Sequence, residues 1–193
     1  MANDLIKKGK IIVFPTDTLY GIGCDPYNSI AVKKIFDIKK RIKNKPLPIL
    51  TNSIENAKQI IEINERGIKL ISKFWPGALT IIGNLIDEKI SSVVTGDTKK
   101  LGVRIPNCSC TLKLLNRCKF LIGTSANISN MKPYVNANEL LESSLSDYDA
   151  IIIDNNNDPK NTKGSTIVDI TNYKLKIVRE GDIEAKQIYD TII

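Results

Sequence analysis

The stretch "VFPTDTLYGIGCDP", Val13 to Pro26, carries the reading of the whole chain. Its first residues complete an apolar run, Ile11 to Phe14, of the kind that forms a buried strand. The chain then turns polar at once, with a proline, two threonines around an aspartate, a tyrosine and two closely spaced glycines. Small hydroxyls directly after a core strand stand where α/β sheets generally bind ligands. The plainer reading is a turn in which threonine and aspartate side chains bond neighbouring backbone.

Further short runs rich in Ile, Val and Leu, each bounded by Gly, Pro or Asn, read as strands. With Lys10–Phe14 they are Leu47–Thr51, Ala78–Gly83, Gly102–Ile105, Phe120–Gly123, Ala150–Asp154, Thr166–Ile170 and Leu175–Arg179. Helical periodicity lies between them, over Ile30–Lys40 with Ser29 as cap, Ile54–Ile61 with Ser53 as cap, and Glu65–Phe74. Thr111–Arg117, Ala137–Leu145 and Glu184–Thr191 complete the helices. Alternation of this kind predicts an α/β (mixed α+β) fold, one domain over Met1–Ile193, on one twisted, mainly open sheet flanked by helices. The segment "DNNNDPKNTKGS", Asp154 to Ser165, has no periodicity and reads as a long surface loop, with a lid as its functional reading.

The chain has no histidine, which excludes a Ser-His-Asp or Cys-His site and an HExxH zinc site. Its four cysteines, Cys24, Cys108, Cys110 and Cys118, form no CxxC pair and read as reduced thiols. There is no GxxxxGK[ST], so phosphate binding has to come from side chains and irregular loops. A net charge of +7 suits an anionic partner, and the densest basic block is "KKIFDIKKRIKNK", Lys33 to Lys45. No apolar run approaches the ~20 residues of a bilayer span, and the N-terminus lacks a signal-peptide core, so a cytoplasmic place is expected.

Four polar clusters fall at strand ends: the opening turn, "KKRIKNKPL", "GTSAN" at Gly123–Asn127, and "GSTIVD" with "IVREG". Taken singly, each has a bland reading as a turn, a solvated face, a helix cap or a surface ion pair.

In this order and spacing, "FPTDTLYGIG", "KKR" followed by "KPL", "FWPGALTII", "GVRIP", "GTSANIS", "STIVDI" and "VREG" resemble the YrdC/TsaC family of threonylcarbamoyl-adenylate synthases. The resemblance runs from about Ile11 to Gly181. It implies a basic concave groove that joins L-threonine, bicarbonate and ATP into threonylcarbamoyl-AMP and pyrophosphate. A downstream transferase would then modify tRNA beside the anticodon. The family's Lys-x-Arg and Ser-x-Asn tetrad falls on Lys39, Arg41, Ser125 and Asn127. ATP would be held by Arg41, Lys45, Ser125, Tyr134 and Arg179, and threonine by Thr18, Arg104, Gly123 and Ser165. Mg2+ would come with ATP, with no protein metal site and no permanently bound cofactor. Three positions depart from the family pattern: Ile42 replaces a common proline, Leu50 a common histidine, and Asn130–Tyr134 a glycine turn.

The chemistry suits the composition. A carbamate is its own nucleophile, so the protein needs only to align two anions and neutralise their charge. Two other readings stand beside this one: a YciO-like paralogue of uncertain activity, and a module that binds double-stranded RNA or tRNA. Against the latter, only 6% of residues are aromatic, and Phe14, Phe36, Trp75 and Phe120 sit in core-like patterns.

Overall fold

A computed structural model describes residues 2–42, 44–154, 159 and 163–193. A short helix, α1 (Ala2–Lys7), precedes the first strand; the sequence pattern does not announce it, since six residues carry little periodicity. The run after it forms β1 (Ile12–Phe14), buried throughout. Past the turn the chain returns antiparallel as β2 (Gly21–Gly23), with Phe14 opposite Gly21 and Ile12 opposite Gly23. Two glycines in three residues hide this strand from a propensity reading. What they supply is room. A Cβ on Gly23 would lie 1.8 Å from the Ile122 carbonyl oxygen, and one on Gly21 would lie 2.9 Å from the Phe14 ring. These glycines therefore serve close packing inside the protein, and only Gly21 also borders the cavity described below.

The α2 helix (Ser29–Ile38) is capped by Asn28 rather than Ser29: the Asn28 side chain accepts from the Ala31 N–H at 3.0 Å. It buries Ala31, Val32, Ile35 and Phe36 on one face. Its C-terminus is a Schellman turn, with Lys40 N–H donating to Asp37 O and Arg41 N–H to Phe36 O. Lys40 takes the left-handed position with φ 48°, so Lys39 and Arg41 leave the helix in different directions. Lys39 goes inward and is buried, while Arg41 turns to the cleft.

Next come β3 (Ile49–Leu50), α3 (Ile54–Ile60), α4 (Glu65–Phe74), β4 (Leu79–Asn84), α5 (Ser92–Thr95), β5 (Lys100–Arg104) and α6 (Ser109–Cys118). Ser53 caps α3 through the Asn56 N–H, and Asn64 caps α4 through the Gly67 N–H. The α4 helix stops at Phe74, two residues ahead of Pro76, which cannot continue it. The chain then supplies β6 (Leu121–Ile122), β7 (Thr124–Ser125), α7 (Ala137–Leu141), β8 (Ala150–Ile151), β9 (Thr166–Asp169), β10 (Lys176–Arg179) and α8 (Ala185–Ile192). The α7 helix ends four residues before the expected Leu145, and α5 has no sequence signal beyond its Ser91 cap.

The mixed α/β class holds, but the strands form two hydrogen-bonded sheets where the sequence suggests one. One sheet has the order β7-β2-β1-β8, the other β10-β9-β4-β5-β3-β6. The segment from Leu121 to Ser125 belongs to both, switching from β6 to β7 at Gly123. Backbone bonds from Ile122 N–H to Cys24 O (2.9 Å) and from Gly123 N–H to Pro48 O (3.0 Å) stitch the two sheets at this crossing. Gly123 is needed there because a Cβ would fall 2.4 Å from Leu50 Cγ. Helices α2, α3, α4 and α8 cover the larger core cluster, which takes in Ile35, Ile60, Leu70 and Ile188, and a smaller cluster joins Ile6 of α1, Phe14 of β1 and Leu115 of α6. Phe14, Phe36, Trp75 and Phe120 are all buried, as their patterns predict. The four cysteines are free; Cys24 and Cys108 are buried, and burial pushes the half-buried Cys118 thiol up to about 11. Among the described residues no helix is long and apolar enough to cross a membrane.

Candidate active site

Between the two sheets lies a cavity of about 170 Å³. Its first wall is the opening turn. Thr16 is spent on local structure: its hydroxyl donates to Leu19 O at 2.6 Å and accepts from the Thr18 and Leu19 N–H groups. Asp17 and Thr18 instead face the fifth strand. Arg104, buried at the end of β5, donates to the Asp17 carboxylate at 2.7 Å and to the Thr18 hydroxyl at 2.9 Å. A third bond from its Nε to Gly77 O at 2.9 Å completes its anchoring. The Asn107 N–H adds a second donor to Asp17 at 3.0 Å. The plain turn reading is thus right for the Thr16 hydroxyl, while Thr18 is held by a buried cation; both residues border the cavity.

The opposite wall comes from β9 and β10. Arg179 donates twice to the Ser165 carbonyl, at 2.7 and 3.2 Å, and approaches its hydroxyl at 3.3 Å. The Ser165 hydroxyl shares a 2.8 Å hydrogen bond with Thr80 of β4. Arg41 enters from the end of α2, its Nη2 donating to Pro46 O at 3.1 Å.

Burial first, and then the neighbouring Arg179 charge, lowers the Arg41 pKa. Burial and then Arg104 do the same to Arg179, partly opposed by Asp182. Arg104 is lowered by burial against the opposing pull of Asp17. Guanidinium stays charged through such shifts, so the cleft holds mutually repelling cations whose natural counterpart is an anion.

Behind the Ser125 wall sits Lys39, with 1% of its surface exposed. Its ammonium donates to the Ser125 carbonyl, to the Asn127 carbonyl at 2.8 Å and to the Asn127 side-chain oxygen at 3.2 Å. The Lys39 carbonyl in turn accepts from the Ser129 N–H at 2.8 Å. Asn127 accepts from the Ser125 hydroxyl at 2.6 Å and donates to Met131 O at 2.5 Å. All three ammonium hydrogens are therefore engaged in shaping the segment from Ser125 to Asn127. Burial, with a smaller contribution from Arg41, brings the Lys39 pKa down to about 7.

Of the residues singled out in the sequence, Thr18, Arg41, Arg104, Gly123, Ser125, Ser165 and Arg179 line the cavity. Lys39 and Asn127 stand behind the lining, as supports of Ser125. Lys45 is exposed and is not in the lining. Tyr134 packs its ring on the core and meets the site only through its carbonyl, which accepts from the Tyr20 N–H at 3.2 Å. The basic block divides: Lys33, Lys34 and Lys40 are exposed, Lys39 is buried, and Lys43 lies outside the described residues. Most of the Asp154–Ser165 loop, including Lys160, also lies outside them, and so does the expectation of a lid. Leu50, where relatives of the expected family often carry histidine, does border the cavity. Asp17 and Thr80 also belong to the site; they fall inside the motifs "FPTDTLYGIG" and "FWPGALTII", neither of which assigns them a role, and the further cue for Thr80 is a hydroxyl inside the aliphatic run "ALTII". Among the described residues no group of three His, Cys, Asp or Glu side chains converges to hold a metal ion.

The Sua5/YciO/YrdC family model, described by the words telomere recombination, matches residues 4–181. This chain belongs to the Sua5/YciO/YrdC family. A Pyrococcus abyssi relative in that family, threonylcarbamoyl-AMP synthase, is 31% identical over 194 residues, which cover 100% of this chain and 56% of the relative. The crystal structure of P. abyssi Sua5 complexed with L-threonine superposes with a TM-score of 0.89 at 32% identity, covering 99% of this chain. This chain thus spans about half the length of that relative, 56% of it in the superposition. Escherichia coli YciO superposes with a TM-score of 0.86 at 20% identity, over 97% of this chain and 90% of YciO, a likeness of fold.

Proposed function

We propose that this member of the family is an L-threonylcarbamoyladenylate synthase, acting in the cytoplasm on the way to threonylcarbamoyladenosine in tRNA. The observation that carries this reading is the convergence of Arg41, Arg104 and Arg179 on one cavity that the Thr18 and Ser165 hydroxyls also line. The reaction condenses the threonine amine with bicarbonate, losing water, to give a carbamate. A carbamate oxygen then attacks the α-phosphorus of ATP; the bond to the bridging oxygen breaks and pyrophosphate leaves. No protein nucleophile takes part, which suits a chain without histidine. The work left to the protein is positioning and charge.

In this reading Arg104, anchored at three points, and Thr18 hold the amino acid, with Ser165 on the opposite side. Arg41 and Arg179 neutralise the phosphates of the incoming nucleotide. Lys39 and Asn127 act through the Ser125 segment, so their part in the tetrad is to shape the wall. Magnesium enters the proposal only as part of the nucleotide substrate. Support also comes from the relatives: the activity for which the P. abyssi protein is named, and the L-threonine in its crystal structure, accompany 31–32% identity. The likeness to YciO, at 20%, is weaker and is one of fold. A contact with tRNA or double-stranded RNA would fall to the exposed lysines of α2, Lys33 and Lys34, outside the cavity.

The test is release of labelled pyrophosphate from ATP, measured with and without L-threonine and bicarbonate. Release that requires both is expected. Release indifferent to threonine would overturn the assignment.

A further inference from the structure

Thr80 is a hydroxyl residue near the start of β4, 3% exposed, and it borders the cavity. Its methyl lies toward Gly102 of the neighbouring β5, where a Cβ would fall 3.3 Å from Thr80 Cγ2. A β-branched side chain in a strand has few χ1 choices. Its hydroxyl is then aimed across the sheet to the other neighbour, β9, where Thr80 pairs in register with Ile167. Ser165 stands two residues ahead of Ile167, at the entry to that strand, and meets the Thr80 hydroxyl at 2.8 Å.

The proton count gives this contact a consequence. The Thr80–Ser165 pair has two hydroxyl protons, and the bond between them uses one. Arg179 spends its well-placed donors on the Ser165 carbonyl and reaches the hydroxyl only at 3.3 Å. Thr80 is therefore the close partner that fixes the Ser165 hydroxyl. Whichever oxygen donates within the pair, one O–H proton has no acceptor among the described residues and is left for the cavity that Arg104 and Arg179 also line. A spare donor beside two cations is matched to an anionic oxygen.

We propose that Thr80 is a positioning residue for the amino-acid substrate: it pins Ser165 so that the pair presents one oriented O–H donor to an anionic oxygen of the substrate. This inference rests on the proposed synthase function.

The experiment is a double-mutant cycle on Thr80→Val and Ser165→Ala, with Thr80→Ser as the rescue, read by threonine-dependent pyrophosphate release. Losing the orienting hydrogen bond should raise the KM for L-threonine by about threefold to tenfold in Thr80→Val, the scale of one neutral hydrogen bond, with the KM for ATP unchanged. Thr80→Ser keeps the hydroxyl and should recover most of the loss. The double variant should be no worse than Ser165→Ala alone, because Thr80 acts through Ser165. Circular dichroism checks folding; if Thr80→Val folds poorly, Thr80→Cys takes its place, keeping the size while weakening the hydrogen bond. An unchanged threonine KM, an equal rise in both KM values, or additive effects in the cycle would each overturn the inference. A wild-type protein that releases no pyrophosphate in response to threonine overturns the synthase reading itself, which separates the two failures.

Discussion

Arg104 and Asp17 meet at 2.7 Å, with 7% and 17% of their side chains exposed, and this pair ties the opening turn to the end of the fifth strand. Arg104 lies 87 residues along the chain from Asp17, so the bond is purely tertiary. Removing Asp17 leaves a buried cation short of its counter-charge and loosens the turn that carries Thr18. Asp17→Ala should cost about 1.5–3 kcal/mol of stability, the scale of a charge-assisted hydrogen bond, and should also raise the KM for threonine. Asp17→Asn keeps an acceptor for the Asn107 N–H and should cost less. Urea unfolding of the two variants checks the order.

Arg41 should behave as a phosphate ligand. Arg41→Ala is expected to weaken ATP binding and turnover by roughly 10- to 150-fold, at little cost in stability. Arg41→Lys should rescue poorly if the contact is bidentate, since an ammonium cannot reproduce the planar fork. Unaltered ATP kinetics in Arg41→Ala would take this residue out of the site.

Lys39 predicts a pH dependence whose sign follows from linkage. Its folded pKa is brought from the ordinary 10.5 down to about 7, first by burial and then by Arg41. Between these values the unfolded chain holds a proton that the folded chain has released, so this group makes stability rise with pH. The cost is fully present below about pH 7 and is relieved as pH climbs toward 10.5. Lys39→Met removes the titration, so wild type should gain stability relative to the variant between pH 7 and pH 9, by denaturant unfolding. The variant should also lose turnover, because methionine cannot donate to the Ser125 and Asn127 oxygens that shape this segment. A stability difference independent of pH would contradict the assignment.

The hydroxyl-lined pocket predicts a substrate order. Threonine should be preferred strongly over valine, which lacks the group that Thr18 would bond. Serine lacks only a methyl, worth about 1–3 kcal/mol, and should be the better competitor. Inhibition of threonine-dependent pyrophosphate release by each amino acid gives the order directly. Equal use of valine would remove Thr18 from that role.

Gly23→Ala tests the packing of the strand crossing. The added methyl would sit 1.8 Å from the Ile122 carbonyl oxygen, a backbone atom tied into the junction of the two sheets. Overpacking usually costs about 1–3 kcal/mol, and here the neighbour is rigid, so a loss of about 3 kcal/mol or more is expected in thermal or denaturant unfolding.

Much of this was legible in the amino-acid sequence. The aliphatic runs and their turn formers marked β1, β4, β5, β9 and β10, and Ser53 marked the start of α3. These signals are local, since a strand core and a helix cap are each built from residues a few positions apart. The absence of histidine and of a P-loop narrowed the chemistry, and the ordered motifs led to the family and to the residues that line the cavity. The tertiary structure decided the rest. The sequence hid β2 and β7 because a glycine strand and a two-residue edge strand have no periodicity, and they exist only through partners in other segments. The division into two sheets depends on Gly123, whose reason is Leu50, a residue distant in sequence and adjacent in space. Lys39 and Arg41 are two residues apart and look alike in a charge run. A left-handed Lys40 sends one into the wall and the other into the cleft. Thr80 sits inside "FWPGALTII", but its role was hidden because its partners, Gly102 of β5 and Ser165 at the entry to β9, are set on either side of it only by the folded sheet. Charge and hydrophobicity are written along the chain, but the neighbours that give a polar atom its role are chosen by the fold.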